Sequence, residues 1–85
     1  MQIPDGEMPD TEREWQDWVR RTLRVELARR AIGYVELSDR LRAMGIQETP
    51  KNLSNKVARG MFTAAFFCAC LSAIGCDRIR LDDGH

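Results

Sequence analysis

The chain has a single histidine, His85, and it stands at the last position. No cysteine–histidine or serine–histidine pairing, no set-apart carboxylate pair and no glycine-rich phosphate loop stands out. The usual nucleophilic, acid–base and nucleotide-binding arrangements are therefore missing, and no enzyme is expected. Asp82 and Asp83 read as solvated carboxylates. Net charge is missing too, because 13 basic residues balance 13 acidic ones. Overall charge thus gives no argument for nucleic acid. The longest stretch without charge, residues 60–76, is too short and too rich in small residues for a membrane span. The opening MQIPDGEMPDTERE is acidic and lacks an apolar core, so no signal peptide is expected and the location read from it is cytoplasmic. Three cysteines cannot all pair within one chain and read as free thiols. Cys68 and Cys70, two apart on a helix, would point to nearly opposite sides, whereas structural zinc takes its cysteine pairs from a turn. With Cys76 they read as small buried hydrophobes, and no metal or cofactor is expected.

What is present is unevenly placed. The 85 residues suit one domain, read as a tail over residues 1–10 and a single helical domain over 11–85. Residues 1–18 hold six acids against Arg13, residues 19–30 hold five arginines against Glu26, and residues 49–60 hold Lys51, Lys56 and Arg59 against no acid. Thr11 and Glu14 form a capping-box pattern, predicting a long helix from Thr11 with Trp15, Val19, Leu23, Leu27 and Ala31 at four-residue spacing. Trp18, Val25, Ala28 and Ile32 form an adjoining apolar set. Gly33, Gly45, Gly60 and Gly75 each follow a stretch of helical periodicity and are candidate stops. The result is an all-α class with four helices. Residues 77–81, DRIRL, alternate as a short strand would, or else pack Ile79 and Leu81 onto the helices.

The stretch TPKNLSNKVARG is the candidate interface. Thr49 suits an N-cap and Pro50 the first helical position. With Leu53 and Val57 turned inward, Lys51, Asn55 and Arg59 form an outward stripe, flanked by Asn52 and Lys56. Lysine and arginine neutralise phosphates, and asparagine and arginine can read base edges in the major groove. A helix N-terminus such as that at Thr49 also favours a phosphate. The arginines of residues 20–30 read instead as solvated or paired with acids such as Glu14 and Asp17. Residues 63–74, TAAFFCACLSAI, are apolar nearly all round, which asks for burial on more faces than three short helices supply. A homodimer is expected, with Trp15, Trp18, Phe66, Phe67 and Leu71 at its interface.

The run ARRAIGYVELSDRL, with Glu36, Leu37 and a small Ser38, resembles the opening of the lambda-repressor-like (XRE-type) helix-turn-helix domain. Arg59-Gly60 matches the usual end of that family's recognition helix, and Ala73-Ile74-Gly75 the end of its next helix. The resemblance covers about residues 20–76. More closely, the chain is similar to a bacterial family of small proteins known only as a domain of unknown function, with this arrangement and a terminal Ile-Arg-Leu. The resemblance implies a four-helix lambda-repressor-like domain that binds duplex DNA as a homodimer in transcriptional regulation. Three features depart from the pattern: Gly33-Tyr34 replaces Thr-Gln, the second turn is long, and Leu53 lies one residue further from the Arg-Gly than usual. They favour an alternative, a protein-interaction module on the same fold that does not bind DNA.

Overall fold

The computed structural model describes residues 7–81. Four helices form: α1 (Glu7–Arg29), α2 (Tyr34–Ala43), α3 (Pro50–Arg59) and α4 (Ala64–Ala73). The class is all-α, with no strand among the described residues. Residues 77–80 run as coil, and of the alternating pair Ile79 packs on the core while Leu81 is exposed. Alternation alone makes no strand where no neighbour offers a ladder of amides and carbonyls.

α1 begins at Glu7, four residues before the expected start, so Thr11 and Glu14 lie inside the helix and do not cap it. Residues 7–10 of the expected tail are therefore helical, and residues 1–6 lie outside the described residues. Pro9 falls in the first turn, where a missing N–H breaks no bond.

One core holds the four helices together. Leu23 and Leu27 of α1, Leu37 and Leu41 of α2, Leu53 and Val57 of α3, and Cys70 and Leu71 of α4 meet in a single cluster. Burying one aliphatic side chain of this size stabilises by about 1.5–3 kcal/mol. The packing is two by two: the backbones of α1 and α2 each lie against both α3 and α4 but not against each other, while α3 reaches α4 through side chains, with Lys56 over the Phe66 ring. Nothing in α2 therefore covers the outer side of α1, and Val25 and Ala28 of the expected second apolar set stay exposed while Trp18 and Ile32 are buried.

Three helices end alike. Beyond α1, α2 and α4, the amides of Ile32, Ile46 and Cys76 donate back to the carbonyls of Leu27, Leu41 and Leu71 at 3.0, 2.9 and 2.8 Å. In each case the preceding residue takes a left-handed conformation: Ala31 (φ 55°), Gly45 (φ 87°) and Gly75 (φ 81°). The following Ile32, Ile46 and Cys76 then fold onto the core. The first stop is thus Ala31 and not Gly33. Gly33 is extended (φ −91°, ψ −177°) and occupies the N-cap position of α2, where it offers no side chain to the free amides.

Candidate nucleic-acid interface

The local sequence of α3 defines both of its ends. The Thr49 hydroxyl accepts from the Asn52 amide at 3.1 Å, and Pro50 takes the first turn. At the other end Gly60 closes the helix in the left-handed region (φ 66°), its amide donating to the carbonyls of Lys56 and Val57. Gly60 also lies against α1. A Cβ there would stand 2.8 Å from the carbonyl oxygen of Gln16 and 3.3 Å from the Arg20 Cβ. Both the backbone angle and the close approach require glycine.

Leu53 and Val57 are fully buried. That fixes the helix rotation and turns Lys51, Asn52, Asn55 and Arg59 to the exposed side. The side chains of Lys51, Asn55 and Arg59 have no ion-pair or hydrogen-bond partner among the described residues. Lys56, expected to flank the stripe, is engaged within the chain. Its ammonium lies 2.5 Å from the Glu48 carboxylate and 4.6 Å from the centre of the Phe66 ring. An ion pair and a cation–π contact hold it beside the stripe, so unlike Lys51 and Arg59 its charge is already engaged. Sequence gave no signal for this, because Glu48 precedes the cap and Phe66 lies on another helix.

The turn between α2 and α3 covers six residues, 44–49. The main-chain carbonyl of Glu48 accepts a 2.6 Å bond from the buried Ser38 hydroxyl. One residue of the turn thus holds α2 through its backbone and α3 through its side chain.

The arginines of α1 divide. Arg20 pairs with Asp17 at 3.0 Å, and Arg29 and Arg30 both pair with Glu26. The hydrogen bond from Arg30 holds the Glu26 carboxyl below its ordinary range, and the same bond pushes the Arg30 guanidinium up. Arg21 and Arg24 are exposed with no partner among the described residues.

Two of the five expected dimer-interface residues are used inside the chain. Trp18 is buried, with its ring edge-on to Trp15 at 5.9 Å and to Phe67 at 6.4 Å, and its indole N–H has no acceptor among the described residues. Leu71 is in the core. Neither offers surface to another chain. Phe66 and Phe67 are half-buried and Trp15 is 47% exposed. These three border an open groove of about 600 Å³ between α1, Lys56 and the start of α4, whose wall also includes Phe62, Met61 and Ala64.

The uncharged helix is not enclosed. Ala64, Ala65, Cys68 and Ser72 face outward, because the backbone of α4 lies against α1 and α2 on its other side. Of the thiols, Cys68 is exposed, while Cys70 and Cys76 are buried. Burial pushes the Cys70 thiol up to about 12, with the nearby Glu48 carboxylate adding to this and Lys56 opposing it. Among the described residues no group of three histidine, cysteine or acidic side chains converges as a metal site would require. No described helix is long and apolar enough to cross a membrane.

Fold and surface together define a small all-α domain whose third helix presents an exposed basic and amide stripe without partners among the described residues. The chain belongs to the family described as a domain of unknown function (DUF6471), whose model matches residues 15–79. No curated protein and no solved structure matches it.

Proposed function

We propose that this chain is a lambda-repressor-like helix-turn-helix protein that binds duplex DNA as a homodimer, a small cytoplasmic regulator of transcription. α3 enters the major groove, with Lys51 and Arg59 on phosphate or guanine and Asn55 positioned for a base edge. The observation that carries this reading is the condition of the stripe: exposed, and without partners among the described residues. On a surface where most other cations pair with acids, three adjacent polar side chains left free favour an external anion. Arg21 and Arg24 supply further positive charge on α1.

The test is binding to mixed-sequence duplex across a salt series. Affinity should fall as salt rises, and Lys51→Ala or Arg59→Ala should each make the logarithmic slope shallower by about one. Absence of any salt-sensitive affinity would remove this function. The second reading, a protein-interaction module that does not bind DNA, is favoured by one observation: the apolar groove beside α3 opens to solvent instead of closing into the core.

A further inference from the structure

The groove beside α3 joins aromatic walls to one unanswered charge. Glu12, Trp15, Gln16 and Val19 recur at helical spacing on α1, so one face of that helix makes one wall. Phe62, just before α4, and Phe66 and Phe67 of its first turn make the other. The Phe62 ring centre lies 5.5 Å from that of Phe66 and 6.0 Å from that of Phe67. Trp15 adds a fourth ring, of which about half is open to solvent. A volume of about 600 Å³, walled mostly by apolar groups with a few polar ones, is that of a small-molecule site.

Charge selects among small molecules. Glu12 and Lys56 are the charged side chains of the lining. Lys56 is neutralised by Glu48 at 2.5 Å. Glu12 is exposed and has no partner among the described residues. Its neighbours do not cancel it within the groove. Arg13 and Glu14 are turned about 100° and 160° from it around α1, and neither lines the groove. Arg20 is paired with Asp17, and Arg59 is turned outward with the stripe of α3. One net negative charge therefore faces a set of rings whose faces are themselves negative. Both attract a cation and repel an anion.

The wall already holds one cation of its own. The Lys56 ammonium stands 4.6 Å from the centre of the Phe66 ring. Phe62, Phe67 and Trp15 extend the same aromatic surface from there towards α1.

We infer that the groove binds a small organic cation with a bulky apolar or aromatic body, its positive centre towards Glu12 and its body against Trp15, Phe62 and Phe67. An inorganic cation would leave the rings in water, and a neutral ligand would leave Glu12 unanswered. This site goes beyond the proposed function and needs no nucleic acid. Lys56 and Gly60 bring the end of α3 to the same groove, so an occupant rests against that helix.

Titration calorimetry on the full chain tests it with tetraphenylphosphonium against tetraphenylborate, an ion of the same shape and opposite charge. The phosphonium should bind saturably, one per chain, and at least about tenfold more tightly than the borate. Glu12→Gln keeps the size of an exposed side chain and removes its charge, and should weaken phosphonium binding about tenfold without weakening the borate. Trp15→Ala should weaken it by a similar factor, with helicity retained. Glu14→Gln, exposed on the same helix but off the groove, should leave the affinity unaltered. Four outcomes would each overturn the assignment: no saturable binding of the phosphonium, borate binding as tight, equal losses from Glu12→Gln and Glu14→Gln, or tight binding that survives Trp15→Ala. A chain of twice the 9.8 kDa mass that excludes the phosphonium would give the groove to a second copy instead. Failure of DNA binding with phosphonium binding intact would count against the proposed function alone.

Discussion

The Ser38 hydroxyl donates to the main-chain carbonyl of Glu48 at 2.6 Å, across a separation of ten residues. The bond joins the middle of α2 to the end of the turn that launches α3. Ser38→Ala leaves a part-buried carbonyl without its partner and should cost about 1 kcal/mol in urea unfolding. If α3 binds DNA, the same variant should weaken affinity while leaving the salt slope intact, because no phosphate contact is lost. An unchanged stability would show that water replaces the bond.

Lys56 and Lys51 should behave differently although both lie on α3. Lys56 is engaged by Glu48 and Phe66, whereas Lys51 is free among the described residues. Lys56→Ala should therefore lower stability by about 1 kcal/mol through the lost pair and ring contact. It should change the salt slope of DNA binding far less than Lys51→Ala. Equal slopes for the two variants would contradict the engagement of Lys56 by Glu48 and Phe66.

Ala31 holds a left-handed conformation that costs a residue with a Cβ about 1 kcal/mol or more. Ala31→Gly relieves that strain and should raise stability by roughly 0.5–1 kcal/mol, a gain of several degrees in Tm for a domain of this size. A thermal melt decides it.

Much of the fold was legible because its signals are local. Thr49-Pro50 and Gly60 bracket α3 in the sequence as they do in the structure, and the four-residue spacing of Leu53 and Val57 gave its buried side. The first stop was misplaced because Ala31 adopts a conformation that only its hydrogen bonds and the docking of Ile32 impose. Within the site, Lys51, Asn52, Asn55 and Arg59 followed from helical periodicity alone. The diversion of Lys56 did not, because its partners come from the turn and from α4. The two tryptophans look alike in sequence, but in the fold Trp18 is buried beside Phe67 while Trp15 stays half exposed.

Acid should loosen the end of α1. The Glu26 carboxyl is held below its ordinary value of 4.5, first by the hydrogen bond from Arg30. A depressed folded value means that the contribution is complete above the unfolded value and is lost as pH falls through the folded one. Stability measured from about pH 6 downward should therefore decline below about pH 4.5, and Glu26→Gln should flatten that part of the curve. An identical acid limb in the variant would assign the loss to other carboxylates.

Thiol labelling should count one cysteine in the folded chain. Cys68 is exposed, whereas Cys70 is buried with its thiol pushed up to about 12, and Cys76 is buried too. At about pH 8 a maleimide should add once to the monomer and three times after denaturation. Two rapid additions to the native chain would mean that the core opens around α4.

The separation of α1 from α2 also bears on how the chain is made. α1 is synthesised first, yet it packs only on α3 and α4. A ribosome therefore releases α1 before either partner exists, and the cover over Leu23 and Leu27 is incomplete until α3 and then α4 have emerged. α2 and α3 meet across their short turn and can associate in the meantime. The first helix of the chain thus completes its docking only when the last is made. A separate peptide of α1 should accordingly be able to rejoin the remaining three helices in trans.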